Sequence, residues 1–393
     1  MEYGQPVLSR LLPALGTLLV VAIGMAPVGH TALPRAALPG REQGTLPKAE
    51  SQPFVRASGT RLFLGGLPFL FRGFNLYNIN GRGNCGYAIP DLDAELDEIQ
   101  PAANVVRGWF FQRLATDPST GAYDWTAFDE TLAALRDHNI KVIATLADEW
   151  GACDGDQPRG RLTLDWYRAG YRVAPYSAGA PRSYRDWVAA VVSRYRADPT
   201  ILAWQLMNEA EAPLDASGTC AEAPAAAALH AWATDVSALI KQLDPHHLVS
   251  VGTIGGGQCG IRGPDYTALH AIPTVDLCEH HDYRPEQMLP DDLRYDLDVC
   301  NRLGKPTFVG ELGVAASRLG NDINARASLL ARKARAALDA GAAGVLVWAW
   351  RSEGDGGSSA TSFDVGPDDP LLDHLARFPD TRRTWRGFSP LSQ

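Results

Sequence analysis

Two glutamates close apolar runs in this chain: Glu209, behind Asn208 in TILAWQLMNEAEAP, and Glu311, in KPTFVGELGV. Two carboxyl groups facing one cleft suit glycoside hydrolysis, in which one protonates the leaving oxygen and the other attacks or activates water. A lone carboxylate in such a place could equally cap a helix or belong to a loop, so the pair gains its meaning from its neighbours. Arg107 ends a further apolar run (NVVRGWFF), His281 and Tyr283 follow another (EHHDYRP), and Trp348 lies in GVLVWAW. An Arg beside a carboxylate favours its ionised form, and a Tyr hydroxyl can hold that carboxylate in one orientation. An Asn amide bonds a sugar hydroxyl, and an indole face stacks on the apolar face of a pyranose. Taken singly, the Arg could serve a salt bridge, the His could be solvated and the Trp could fill a core. Jointly they point to sugar chemistry.

Side chains so far apart in sequence need a scaffold that brings strand ends together. Apolar, strand-like stretches recur at Pro68–Leu76, Asn104–Phe110, Lys141–Ala147, Ile201–Met207, Leu248–Ile254, Val275–His280, Thr307–Gly310 and Gly344–Trp350. Between them lie helical patterns, among them Trp125–His138, Ser183–Ala197, Ala225–Leu243, Asp291–Leu303 and Asp322–Ala340. In the first of these helices, Phe128, Leu132 and Leu135 share one face. Runs such as ILAWQLM and VLVWAW are apolar throughout, as strands covered on both sides should be. Eight strands with helical crossovers imply an α/β chain folded as a (β/α)8 TIM barrel, whose chemistry sits at the C-terminal strand ends. A doubly wound sheet is the competing arrangement, but the turn after the first strand, RGFNLYNING, lacks its glycine fingerprint.

The 393 residues are 46% hydrophobic and 21% charged, a globular balance that excludes wholesale disorder. Lys and Arg number 36 against 45 Asp and Glu, a net charge of −9 with no basic run, so no nucleic-acid footprint is expected. Leu11–Gly29 carries no charge and follows Arg10, which reads as an export signal within 1–32 or as an uncleaved N-terminal membrane anchor, the only membrane contact expected. Residues 33–52 are rich in Pro and Ala and read as a linker, leaving 53–393 as the catalytic domain. The six cysteines, Cys85, Cys153, Cys220, Cys259, Cys278 and Cys300, fit up to three disulfides in an exported chain, or else buried thiols. None has zinc-site spacing.

At this level the sequence resembles glycoside hydrolase family 5, and within it the endo-β-1,4-mannanases. The likeness runs from FVRASGTRLFLGGLPFLFRGFNLYN, similar to a mannanase N-terminal hairpin and first strand, through NVVRGWFF and KVIATLADEWGACDG. It is closest at YRDWVAAVVSRYRADPTILAWQLMNEAEAP and continues in HHDY, KPTFVGELG and GVLVWAW. The resemblance implies a retaining mechanism, with Glu209 as acid/base and Glu311 as the nucleophile that forms a glycosyl-enzyme. It further implies that Arg107 supports Glu311, that Asn208 binds the sugar 2-hydroxyl, and that His281 and Tyr283 line the cleaving subsite. Trp348, rather than Trp350 of the same strand parity, would be the stacking platform, and Trp150 would meet a neighbouring sugar. Repulsion from an ionised Glu311 would raise the pKa of Glu209 and keep it protonated near neutral pH.

The chain departs from the mannanase pattern at LADEWGACDG, at Gln205 and Met207 where Glu and Ala are commoner, and at AEAP after Glu209. These positions lie near sugar subsites and bear on the substrate more than on the chemistry. The expectation is a secreted, monomeric, cofactor-free and metal-free hydrolase of β-1,4-linked polysaccharide or oligosaccharide, first of all β-mannan. The alternatives are a β-glucanase, an enzyme for another surface glycan or glycolipid, and a carbohydrate-binding barrel without turnover. The long stretch Cys153–Gly179, after the third strand, could wall off one end of the cleft.

Overall fold

The computed structural model describes residues 53–81, 85, 89–153, 160–352 and 356–378. The expected leader (1–32) and linker (33–52) lie outside them, as does the basic end of the tail with Arg382, Arg383 and Arg386. Among the described residues no helix is long and apolar enough to cross a membrane.

The chain begins with three short strands, β1 (Arg56–Ser58), β2 (Arg61–Leu64) and β3 (Leu67–Phe69), paired antiparallel in that order. Barrel strands β4 (Phe71–Asn75), β5 (Val105–Trp109), β6 (Lys141–Thr145), β7 (Ile201–Gln205) and β8 (Leu248–Ser250) follow. They are completed by β9 (Cys278–Asp282), β10 (Thr307–Leu312) and β11 (Gly344–Val347). Between and after them run α1 (Leu92–Ile99), α2 (Thr126–Asp137), α3 (Leu164–Arg168), α4 (Tyr184–Tyr195), α5 (Glu222–Leu243), α6 (Pro264–His270), α7 (Asp291–Leu303), α8 (Ile323–Asp339) and α9 (Pro370–Ala376). The eight barrel strands are parallel in the order β8-β7-β6-β5-β4-β11-β10-β9. The seam closes through a parallel bridge between Ser250 and Leu277, supported by the Leu277 amide on the Val249 carbonyl at 3.1 Å. The (β/α)8 barrel is therefore present.

The helices start and stop where their sequence dictates. Ser183 caps α4 by accepting from the Asp186 amide, and its hydroxyl donates to the Asp186 carboxylate. Asp291 and Asp292 sit in the first turn of α7, and Gly304 ends it in the left-handed conformation at φ 68°. Phe128, Leu132 and Leu135 of α2 are all buried against the barrel, as their spacing required.

Several boundaries differ from expectation. The first expected strand, Pro68–Leu76, divides into β3 and β4, because its start pairs antiparallel with β2. The N-terminal hairpin is thus a three-stranded sheet. Its Leu62 and Phe69, with Val55 just before β1, pack with Val105, Phe308 and Leu346 from the barrel strands into one apolar cluster. The expected Val275–His280 strand starts later, because the Asp276 side chain accepts from the Val249 amide and pairs with Lys241. The run Leu248–Ile254 leaves the strand after Ser250, with Gly252 at φ +85°, and the last strand stops at Val347. The long segment after β6 is not structureless, since it carries α3 and a short helical turn at Gly170–Arg172.

Six cysteines form three disulfides, Cys85–Cys153, Cys220–Cys259 and Cys278–Cys300. The first joins the loops after β4 and β6, and the second joins those after β7 and β8.

Candidate active site

The barrel interior is layered. Inward side chains at the N-terminal ends of the strands are apolar, as with Val105, Ile143 and Phe308. One layer higher, Arg107, Gln205, Glu279 and Thr145 are buried and polar, and satisfy one another. Thr145 Oγ1 donates to Gln205 Oε1 at 2.6 Å, and Arg107 Nε donates to the same oxygen at 2.8 Å. This polar floor carries the site above it.

Arg107 is its hub. Nη1 donates to Glu311 Oε1 at 2.7 Å and to Asn75 Oδ1 at 2.9 Å, while Nη2 donates to Asn208 Oδ1 at 2.6 Å. The guanidinium also stacks on the Trp109 ring, 4.8 Å from its centroid. Asn75 Nδ2 in turn donates to the Gly310 carbonyl at 2.9 Å. One buried cation therefore ties the ends of β4, β5, β7 and β10 together.

Glu311 owes its position to a bulge. The pairing of β10 with β9 runs Val309 to His280 and then Glu311 to His281, so Gly310 is left out of the register. The extra residue re-aims the next side chain, a common use of bulges beside functional sites. Tyr283 donates its hydroxyl to Glu311 Oε2. Burial and the Glu311 charge push that phenol well above its ordinary pKa, so it stays a donor.

Glu209 stands in the left-handed region at φ +57°, uncommon for a residue with a side chain and costing roughly 1–3 kcal/mol. Gln258 Nε2 holds its carbonyl at 2.8 Å, and the Ala210 amide is taken by the Gly252 carbonyl at 3.1 Å. The carboxylate receives Trp150 Nε1 on Oε2 at 2.6 Å and meets His281 Nδ1 across 2.9 Å at Oε1. His281 Nδ1 is also 3.5 Å from Glu311 Oε2, and its Nε2 is 3.2 Å from Glu279 Oε1. An oxygen of Glu209, an oxygen of Glu311 and a His281 nitrogen lie within 4.8 Å of one another.

The charges differ from expectation. Burial raises the Glu209 pKa, but His281, Trp150 and Arg107 outweigh it and hold the carboxyl below its usual range. Burial opposes charge on His281, yet Glu311, Glu209 and Glu279 around the ring push it up to about 10. The expectation of a raised Glu209 therefore fails. In the resting site the proton belongs to His281, because three carboxylates surround a ring that the sequence alone leaves unpartnered.

The remaining expected residues fall into place unevenly. Asn208 Oδ1 serves Arg107 and its Nδ2 donates to Asp148 at 2.7 Å, so the amide is oriented and keeps a second hydrogen for a ligand. Trp348 is half-buried and stacks on Tyr77, with ring centroids 5.5 Å apart, while also touching Trp109. Trp350 is buried against Phe74 and donates to Glu95 at 2.7 Å, so it belongs to the packing. Trp150, expected only beside a neighbouring sugar, reaches Glu209 itself and lies under the Arg161 guanidinium at 4.7 Å. Asn75, Glu279 and Ser250 escaped the sequence reading altogether, and Gln205 and Asp148 registered only as departures. Their one signal was a polar residue inside or ending an apolar run.

Glu209, His281 and Glu311 have the donor types of a metal site, but both His281 nitrogens already face carboxylates. Cys220, Glu222 and Cys259 form a second such group, in which the two sulfurs are joined to each other.

Residues 179–285, which include Asn208, Glu209, His281 and Tyr283, match the family model described as GH family 5 beta-mannosidase-like. Over that segment the chain is similar to the mannosidase-like members of glycoside hydrolase family 5. A mannan endo-1,4-beta-mannosidase 8 from Oryza sativa subsp. japonica is 29% identical over 317 residues, covering 68% of this chain and 82% of that protein. A probable mannan endo-1,4-beta-mannosidase F from Aspergillus flavus is 26% identical over 368 residues, covering 82% of this chain and 73% of that protein. Among solved structures, an endo-1,4-beta-mannanase from Rhizomucor miehei superposes with a TM-score of 0.64 at 20% identity. It covers 82% of this chain and 97% of its own, a likeness of fold. The family 5 match and the barrel thus converge on the same strand ends.

Proposed function

We propose that the protein is an exported retaining glycoside hydrolase that cleaves β-1,4-mannan. The carrying observation is the spacing of Glu209 and Glu311 around His281, with oxygens within 4.8 Å. Inverting enzymes need roughly 6.5–9.5 Å between carboxyl groups to seat a water, whereas retaining ones hold them about 5–5.5 Å apart.

In this reading Glu311 attacks the anomeric carbon while Arg107 and Tyr283 hold its two oxygens. Glu209 delivers a proton to the leaving oxygen and later takes one from the water that releases the sugar. Asn208 offers its second amide hydrogen to the sugar, and Trp348, on its Tyr77 and Trp109 bed, offers an aromatic face. The mannan substrate is supported by the names of the relatives. Export is supported by the three disulfides, which form and persist in oxidising compartments.

The test is reducing-sugar release from galactomannan, glucomannan, cellulose and xylan, with product anomers followed by proton NMR. Mannan cleavage with retained configuration is expected. Glu209→Ala should lose about 10²–10⁴-fold toward mannan, and Glu311→Ala should be silent. Cleavage of cellulose alone would move the substrate to β-glucan, and an inverted product would overturn the mechanism.

A further inference from the structure

The polar floor contains one acid that the chemistry above does not use. Glu279 is fully buried on β9, two residues before His281 and on the same face of the strand. Its Oε2 accepts from Gln205 Nε2 and from Ser250 Oγ at 2.9 Å. Its Oε1 faces His281 Nε2 at 3.2 Å, with Arg107 Nε 3.9 Å away. Room for it comes from Gly310, where a Cβ would collide with the Glu279 carboxylate. Glu279, His281 and Glu209 thus form a line of acid, imidazole and acid running from the floor to the cleft.

Resting on the reading of Glu209 as acid/base, we propose that Glu279 is a positioning residue that fixes His281 with Nε2 protonated, so that the Nδ1 proton is the one Glu209 delivers. The acceptor at Oε1 fixes the Nε2–H, leaving the hydrogen between Nδ1 and Glu209 Oε1 as the mobile one. When a sugar is seated, the proton shifts from Nδ1 to Oε1, and imidazolium and carboxylate become neutral imidazole and carboxylic acid. The leaving oxygen then takes that proton as the bond from the Glu311 carboxylate to the anomeric carbon forms. On release, Glu209 receives a proton from the attacking water, Glu311 leaves as a carboxylate, and the proton returns to Nδ1. Protons balance over the cycle.

The groups facing the ring are Glu209 and Glu311 at Nδ1 and Glu279 at Nε2. Arg107 lies beside Glu279, and the neutral Tyr283 hydroxyl lies on Glu311. The raised affinity of His281 for its proton agrees with this surround.

Glu279→Gln tests the assignment. Gln205 and Ser250 both donate to Oε2, so the amide oxygen should settle there and turn its NH2 toward His281 Nε2. The ring would then switch to the Nδ1–H tautomer and lose its charge. For mannotetraose, whose leaving sugar needs a proton, kcat should fall about 10–100-fold, with the alkaline limb of the pH profile moving down by about one pH unit. For a 2,4-dinitrophenyl β-mannobioside, whose leaving group needs none, the loss should stay within about threefold. Equal losses on both substrates, or no loss on either, would overturn the assignment. Glu209→Gln run alongside separates the two readings. If it shows the leaving-group split and Glu279→Gln does not, this proposal alone falls; if it keeps full activity on mannotetraose, the acid/base reading falls too. Should the variant not fold, nitrogen-15 NMR of wild-type imidazoles, with His281→Asn giving the assignment, answers directly. Nε2 should stay protonated while Nδ1 loses its proton only far above neutral pH, and a neutral Nδ1–H tautomer at pH 7 would refute the proposal.

Discussion

The site is organised by one shared proton and one shared cation. Arg107 touches Glu311, Asn75, Asn208 and Gln205 at once, so no substitution there is local. Tyr283 is simpler, since its hydroxyl has one recipient, Glu311. Tyr283→Phe keeps the ring and removes that donor. We expect kcat toward mannan to fall about 10²-fold with the melting temperature nearly unchanged, checked by steady-state kinetics beside calorimetry. The proton on His281 makes a separate prediction about stability. Its folded-state pKa is raised from 6.5 to about 10. The stabilisation is therefore complete below about pH 6.5 and is lost as pH rises through about 10. Thermal melts between pH 6 and 11 should decline for the wild type, and the difference from His281→Asn should shrink across that window. A constant difference would place the ionisation elsewhere.

At the scale of elements, the two carboxylates proposed for catalysis are placed by irregularities at strand ends. Glu311 follows a bulge, and Glu209 lies on a left-handed residue whose neighbour is held by Gly252. Gly252 has φ +85°, and a Cβ there would run into the Met207 carbonyl, one residue before Asn208. Gly252→Ala should destabilise the fold by ~2–4 kcal/mol and lower kcat, measured by urea unfolding and mannan turnover. The sequence made the barrel legible because both-face burial produces continuous apolar runs, and each run ends where the chemistry begins. Glu209, Glu311, Arg107, His281 and Tyr283 were visible for that reason. The bulge at Gly310 was not, because a skipped residue leaves the apolar pattern intact. Glu279 was hidden too, because a charged residue within a strand gains meaning only from Gln205 and Ser250 on other strands. The same blindness explains the misjudged proton on Glu209, since the groups that lower its pKa come from β9, the loop after β6 and β5.

For the whole molecule, the disulfides fasten the rim of the cleft. Cys85–Cys153 and Cys220–Cys259 span 68 and 39 residues of chain and join loops that carry or border Trp150, Glu209 and Gln258. Each closure of this kind is worth about 2–4 kcal/mol. Reduction by dithiothreitol should lower the melting temperature markedly and reduce mannan turnover in parallel, and an unchanged melt would show that the barrel core alone carries the stability. The seam between β8 and β9 has a different consequence. It has one strand bridge, Ser250 to Leu277, beside the bonds of the Asp276 and Leu277 amides to the Val249 carbonyl and of the His281 amide to the Ile254 carbonyl, and Ser250 reaches across it to Glu279. Amide hydrogens near that seam, such as that of Leu277, should exchange with deuterium sooner than those of the fully paired β5 and β6. Each such opening would momentarily unlatch the floor beneath His281, so the breathing of the weakest joint in the cylinder sets a pace against which turnover can be compared.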